Sequence, residues 1–526
     1  MAKRFNIAGL CSPQKHYMAD ISSQFEMTFA MIERGDYFII NRPRQYGKTT
    51  MLYTIARTLR TREDYVIFNI SFEGIGDSFF ADEQSLGRGF LRLLSGQAAL
   101  YSPELVPILK QKSTEIANFE DFSWAITELV LQTDKKVVVL IDEVDRSSNY
   151  QLFISFLGLL RNKFLQQEDM KTFHSVILAG LHDIKTLKLR MRPEEEKSFN
   201  SPWNIAVPYK INMNLSPSAI KPMLEDYMQE QNVAMDAQLI AERLFYLTSG
   251  YPYLVSHLCR IIAEEIIPTK TVKEWTEADV NKAFQLIIRE RGNANFDTVV
   301  KNLNEYPKLY ELVYAMVIEG QGFPYDNNDK TINLGIMHGI LSLSETETLI
   351  IHNRIYRELI ANMMISEWRT GNLGKRSIDV FDVVSPYHLP NKGLDMQKVL
   401  ENFQAFMRKE YSSKDRDFVE REGRILFLAF MRPILNGAGY DFKEPQVSEE
   451  KRLDLVITYY QHLYVAELKI WYGEQAHQKG LIQLADYLDS LGLDTGFLLI
   501  FDHNKKKTWK KDWVIVNGKR IFWAKV

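Results

Sequence analysis

The stretch YFIINRPRQYGKTTMLYTIARTL, residues 37 to 59, constrains this chain more than any other. Tyr37 to Ile40 form a short apolar strand, and after a polar loop the apolar residues recur at helical spacing. A strand, a loop ending Gly47-Lys48-Thr49 and a helix make the context of a phosphate-binding loop. There backbone N–H groups cradle phosphates, the lysine meets the β and γ phosphates and the hydroxyl reaches magnesium. The candidate loop runs Arg42, Pro43, Arg44, Gln45, Tyr46, Gly47, Lys48, Thr49, Thr50. Arg42 stands where the usual pattern has its first glycine. Pro43 and Arg44 make the loop stiffer and more basic, which complements a triphosphate.

A second element has the matching chemistry. KKVVVLIDEVDR, residues 135 to 146, is a β-branched run ending in acids, the pattern of a buried parallel strand. Ligands bind at the carboxyl edge of such sheets, so Asp142 is placed to hold magnesium and Glu143 to orient and deprotonate a water. Without a nucleotide, the same residues would be only a helix start and a strand end. FHSVILAGLHDIK repeats the strand and offers His182 and Asp183 as γ-phosphate sensors, or as ordinary loop residues. TSGYPYLVSHLCRII sets a Gly-Tyr-Pro break before an apolar helix, as a lid would, and Pro at a helix start explains it equally.

Taken together, FNIAGLCSPQKHYMAD, NRPRQYGKTT, IDEVD, AGLHDIK and GYPYLV resemble the bacterial AAA-ATPase-like proteins related to STAND and archaeal-type P-loop ATPases. The resemblance covers roughly residues 5 to 270, and an RPRxxGKT loop is characteristic of the group. It implies ATP bound by Arg42 to Thr49, with Lys48 on phosphate and Asp142 and Glu143 at the metal and water.

At 526 residues and 46% hydrophobic, the chain exceeds one ordinary core. We expect an α/β multidomain protein. Residues 1–215 form a P-loop ATPase core with a parallel sheet, 216–295 a helical lid, 296–372 a winged-helix-like connector, 373–395 a linker and 396–526 a further domain. The connector is not conspicuously basic, which favours a relay over DNA readout. Formal charge is −3, from 64 basic and 67 acidic residues, so any nucleic-acid site is local. Two cysteines, Cys11 and Cys259, form no disulfide framework. No run reaches the roughly 18 apolar residues of a membrane span, and the N-terminus lacks a signal-peptide core. The expectation is a cytoplasmic protein with no membrane partner.

In the last domain, LDLVITYYQHLYVAELKIW carries Asp454, Glu467 and Lys469 in an otherwise apolar hairpin. With Gln461 and His462 as the turn, Tyr460 pairs with Leu463 and Asp454 falls opposite Lys469, on the face shared by Glu467. Two carboxylates and an ammonium on one face suit magnesium or manganese with phosphate oxygens; a salt bridge on a solvated face is the plainer alternative. The order helix, hairpin, helix LIQLADYLDSL, strand TGFLLIF resembles the PD-(D/E)xK nuclease fold, and residues 400 to 505 resemble the nuclease-like domain fused to these same ATPases.

That resemblance implies an α/β/α restriction-endonuclease-like domain in which Asp454 and Glu467 bind metal and Lys469 activates water. Gln483 would support the site, and Glu422, or Glu420, would add an acid. Leu453 stands where the family often has proline. The tail HNKKKTWKKDW and VNGKRIFWAKV is basic, with Trp509, Trp513 and Trp523 interleaved. It reads either as a nucleic-acid track or as an edge hairpin whose tryptophans face the core. The expected function is an ATP-binding and ATP-hydrolysing enzyme controlling a metal-dependent nuclease. Its cofactors are ATP and Mg2+, with Mn2+ also suited to the nuclease site; its partner is DNA in preference to RNA. The architecture is compatible with a homo-oligomer and with defence against phage or mobile elements. The alternative is a non-enzymatic ATP-dependent switch or scaffold whose last domain only binds nucleic acid or protein.

Overall fold

The computed structural model describes the chain apart from residues 1–2, 147–149, 181–204, 319–320, 372–386, 388, 390–392, 411–422, 424–425, 432–433, 436–438, 443–454, 460–461, 503 and 505–507. It divides into two compact units. One comprises Met1–Leu309 and Pro324–Glu358, the other Tyr310–Phe323 and Leu359–Val526.

The first unit is built on four parallel strands, β1 (Phe38–Asn41), β2 (Tyr65–Ser71), β3 (Lys136–Asp142) and β4 (Ser175–Gly180). Their order across the sheet is β1-β4-β3-β2. A lone parallel bridge from Phe38 to Val207 extends the order past β1. After Lys136, β3 is buried along its whole length, which explains its unbroken run of Val, Leu and Ile. The helices α1 (Ser22–Glu33), α2 (Lys48–Leu59), α3 (Glu83–Tyr101), α4 (Val106–Glu115), α5 (Phe119–Leu131) and α6 (Tyr150–Leu165) accompany it. In α2 the buried Met51, Leu52, Ile55, Ala56 and Leu59 recur along one face. The core joins Val137, Val139 and Ile141 of β3 to Phe90, Leu91, Phe122, Phe153 and Phe156.

Beyond the sheet lie α7 (Pro217–Gln231), α8 (Ala237–Thr248), α9 (Pro252–Ile261) and α10 (Glu277–Arg289). Pro252 opens α9, where its missing N–H costs nothing. Phe5 packs with Tyr17, with Tyr227 of α7 and with Trp275, and Tyr17 packs with Tyr227, tying the N-terminal segment to these helices. Next come α11 (Ala294–Glu305), α12 (Pro307–Val317), α13 (Lys330–Met337), the strands β5 (Leu341–Leu343) and β6 (Leu349–Ile351), and α14 (Arg354–Gly371). β5 and β6 are antiparallel, and their connection carries Glu345 and Glu347.

In the second unit, α15 (Met396–Glu410), β7 (Gly439–Phe442), β8 (Leu455–Tyr459), β9 (His462–Ile470), α16 (Glu474–Ser490), β10 (Thr495–Phe501), β11 (Lys511–Val516) and β12 (Lys519–Lys525) form a mixed sheet ordered β11-β12-β10-β9-β8-β7. β9, β10 and β12 run parallel, and the outer strands join antiparallel. Val465, Leu498, Ile500 and Ile521 meet Leu481, Leu484 and Leu488 of α16. Phe501 has the opposite strand parity and meets Phe403 of α15. Helices therefore cover both sheet faces.

Candidate functional site: a phosphate loop facing a carboxylate edge

Gly47 is the cap of α2 and has φ +82°, a left-handed value that glycine takes without strain. It turns the chain from loop to helix, so that Lys48 and Thr49 begin the first helical turn. Lys48 is buried, and its Nζ donates to the carbonyls of Arg42 at 2.8 Å and Pro43 at 2.9 Å. Burial holds its pKa below that of an ordinary lysine, opposed by the carboxylates of Glu143, Asp142 and Asp145. Thr49 Oγ1 donates to Asp142 Oδ2 at 2.6 Å, joining the loop to the end of β3. Asp142 Oδ1 accepts from the Glu143 N–H at 2.9 Å.

Two non-glycine residues of this site have left-handed backbones, Gln45 at φ +58° and Glu143 at φ +54°. Each such position costs on the order of 1 kcal/mol and persists where surrounding contacts impose it. Both line a cleft of about 740 Å³ that also takes in Asn6, Cys11, Arg44, Lys48, Thr49 and Tyr253. Thr49 Oγ1 and the Asp142 carboxylate are hard oxygen donors and fit a magnesium ion. Glu143 follows Asp142 directly and lines the cleft.

Arg42 has a role that its motif position conceals. Its guanidinium donates to the carbonyls of Asn41, Tyr209 and Ile211 at 2.9, 3.2 and 2.8 Å. The side chain thus fastens the segment after β4 to the sheet edge, and its charge is spent on backbone carbonyls. Arg44 is the exposed cation of the loop. Residues that the sequence reading passed over also meet the loop: Tyr251 Oη donates to the Arg44 carbonyl at 2.6 Å, and Asn295 Nδ2 donates to Gln45 Oε1 at 2.9 Å. Tyr251 belongs to the Gly-Tyr-Pro break noted above; nothing in the sequence marked Asn295. His182 and Asp183 lie outside the described residues.

In the second unit the hairpin register differs from the expected one. Leu463 pairs with Thr458, not with Tyr460 as expected, His462 pairs with Tyr459 and Ala466 with Leu455; Tyr460 and Gln461 lie outside the described residues. Glu467 is buried, and Lys469 Nζ lies 2.7 Å from its Oε1 with the lysine side chain 42% exposed. Asp454, Glu420 and Glu422 lie outside the described residues, and Gln483 is exposed on α16. Among the described residues no group of three His, Cys, Asp or Glu side chains converges as a metal site. Glu467 alone does not make one.

The tryptophans of the tail favour the edge-hairpin alternative. Trp513 packs on Phe497 and Phe522 and donates to Gln397 at 3.1 Å, while Trp523 packs on His477. Among the described residues no helix is long and apolar enough to cross a membrane.

No curated protein matches the chain. Among solved structures, a Walker-type ATPase of Pyrococcus abyssi is 11% identical over 68% of this chain and 99% of its own, with TM-score 0.47. The RuvB Holliday junction branch migration motor of Thermotoga maritima is 15% identical over 66% and 96%, with TM-score 0.33. Cdc6p from Pyrobaculum aerophilum is 12% identical over 68% and 97%, with TM-score 0.32. These likenesses are distant. The family model of the AAA-like domain matches residues 12–361, two thirds of the chain, and the protein belongs to that family.

Proposed function

We propose that the first unit binds and hydrolyses ATP and that its nucleotide state controls a metal-dependent nuclease in the second unit. The observation that carries the ATPase part is the 2.6 Å bond from Thr49 to Asp142 with Glu143 beside it. Backbone N–H groups of the loop and Lys48 would bind the phosphates, and Thr49 and Asp142 would hold magnesium. That ion, when bound, neutralises phosphate charge. Glu143 accepts the proton of the attacking water.

Support for the nuclease part is narrower. It consists of Glu467 and Lys469 on a central strand of a mixed sheet, followed by α16, with helices on both sheet faces. Asp454 and Glu422 are proposed as further acids, Gln483 as a polar group supporting the site, and DNA as the substrate in preference to RNA. We place His182 and Asp183 near the γ-phosphate. Residues 296–372, helices followed by the β5–β6 hairpin, serve as a winged-helix-like relay. The acidic connection with Glu345 and Glu347 repels a phosphate backbone, which favours relay over DNA readout.

One observation favours a second reading, a switch without nuclease activity: the Glu467 carboxylate is engaged by Lys469 at 2.7 Å. Incubating the protein with plasmid, linear and single-stranded DNA and with RNA, plus Mg2+ or Mn2+, with and without ATP, separates the two. Cleavage that disappears in Glu467→Gln supports the nuclease. Absence of cleavage on every substrate supports the switch.

A further inference from the structure

Four consecutive loop residues are held from outside the parallel sheet. Pro43 packs against Gly339, where a Cβ would come within 2.7 Å of its ring and where φ is +69°. Arg44 is held through its carbonyl by Tyr251. Gln45 and Tyr46 are the two ends of one hydrogen-bonded circuit. Asn295 donates to Gln45 at 2.9 Å and accepts from Tyr356 Oη at 2.7 Å. The Tyr356 N–H donates to Asn353 Oδ1 at 2.9 Å, which turns the Asn353 amide nitrogen toward His352 Nδ1 at 3.3 Å. Nδ1 is therefore the acceptor, so Nε2 carries the proton and donates to Tyr46 Oη at 3.0 Å. Tyr46 in turn donates to Asn214 Oδ1.

Apart from its Gln45 end, the circuit is buried. Tyr46 and His352 are each 6% exposed, and the Tyr46 ring meets Tyr251 at 4.6 Å and 69°. A buried hydroxyl with fixed donor and acceptor directions leaves the ring one position. A shift of residues 339–356 therefore breaks the bond at Tyr46 and withdraws Tyr356 from the Asn295 amide that holds Gln45. These two residues precede Gly47 and Lys48 directly.

We infer that His352 and Asn295 are positioning residues for the phosphate loop, so that nucleotide binding and the placement of residues 339–356 are coupled. This rests on the ATP reading above. The coupling is reciprocal: what the segment does to nucleotide affinity, the nucleotide does to the segment.

The test uses the full chain and a fluorescent ATP analogue with Mg2+, read by stopped-flow release, together with amide hydrogen exchange over residues 339–356. Wild type should bind the analogue and gain protection in that segment. Tyr46→Phe and His352→Ala should release it about tenfold faster, the scale of one lost buried hydrogen bond, and lose the added protection. His352→Gln, which can still donate toward Tyr46, should restore slow release. If His352→Ala does not fold, Tyr46→Phe, which removes one oxygen, carries the test. Wild-type binding with unchanged release in Tyr46→Phe, or with no protection gained in 339–356, overturns the coupling alone. No binding by wild type overturns the ATP reading and the coupling with it.

Discussion

Thr49 and Asp142 are separated by 93 positions in sequence, yet Thr49 Oγ1 donates to Asp142 Oδ2 at 2.6 Å. This contact brings the phosphate loop and the end of β3 together as one site. Asp142→Asn should retain an acceptor for Thr49 while removing the charge that attracts a divalent cation. Nucleotide affinity measured in EDTA should then stay near wild type, while the gain on adding Mg2+ shrinks about tenfold. Titration calorimetry with and without Mg2+ reads both numbers.

Lys48 should be the larger loss. Removing its ammonium deletes charge-assisted bonds to phosphate, each on the order of 1.5–3 kcal/mol, so Lys48→Ala should weaken ATP about 100-fold. The fold should survive, because that ammonium is buried among carbonyls at a desolvation cost. A circular dichroism melt alongside the titration separates the two effects.

The P-loop core was readable because its signals are local. A β-branched run ending in acids and a Gly-Lys-Thr before a helical period each sit within about a dozen residues, and β1, α2 and β3 follow them. The clamp on the loop was not readable. Tyr46 and His352 are 306 positions apart, and neither sits in a pattern that distinguishes it from a core aromatic or a core histidine. The anchoring contacts of the Arg42 side chain were not readable for the same reason, since its partners Tyr209 and Ile211 are remote. In the hairpin, parity was legible but register was not: sliding a turn by one residue on each strand keeps every face assignment and changes every partner.

His352 should make stability fall with acid. Burial pushes its pKa down to about 4, and the Asn353 amide nitrogen facing Nδ1 disfavours a proton there. The titratable rings around it are Tyr46 and Tyr251, which stay neutral through this range. The unfolded chain binds the proton near pH 6.5 and the folded chain only near 4. The contribution is therefore complete above 6.5 and is lost progressively as pH falls toward 4, by on the order of 3 kcal/mol. Urea unfolding at pH 7 and pH 4.5 should show a smaller difference for His352→Gln than for wild type.

Lys163 is buried in α6, donating to Ser123 Oγ at 3.2 Å and Thr127 Oγ1 at 2.6 Å, and burial pushes its pKa down to about 8. An unfolded lysine keeps its proton to about pH 10.4, so wild-type stability should rise as pH goes from 8 toward 10. At pH 7 the buried charge is a cost, and Lys163→Met should be more stable by roughly 1–3 kcal/mol. A lower melting temperature for the variant would mean that the hydroxyl contacts outweigh desolvation.

The central claim is that the cleft hydrolyses ATP with Glu143 as the base, and phosphate release from Mg·ATP by wild type and Glu143→Gln tests it most directly. The account expects steady release by wild type and a drop of about 100-fold or more in the variant, with ATP affinity kept. Equal release by the two proteins would contradict it.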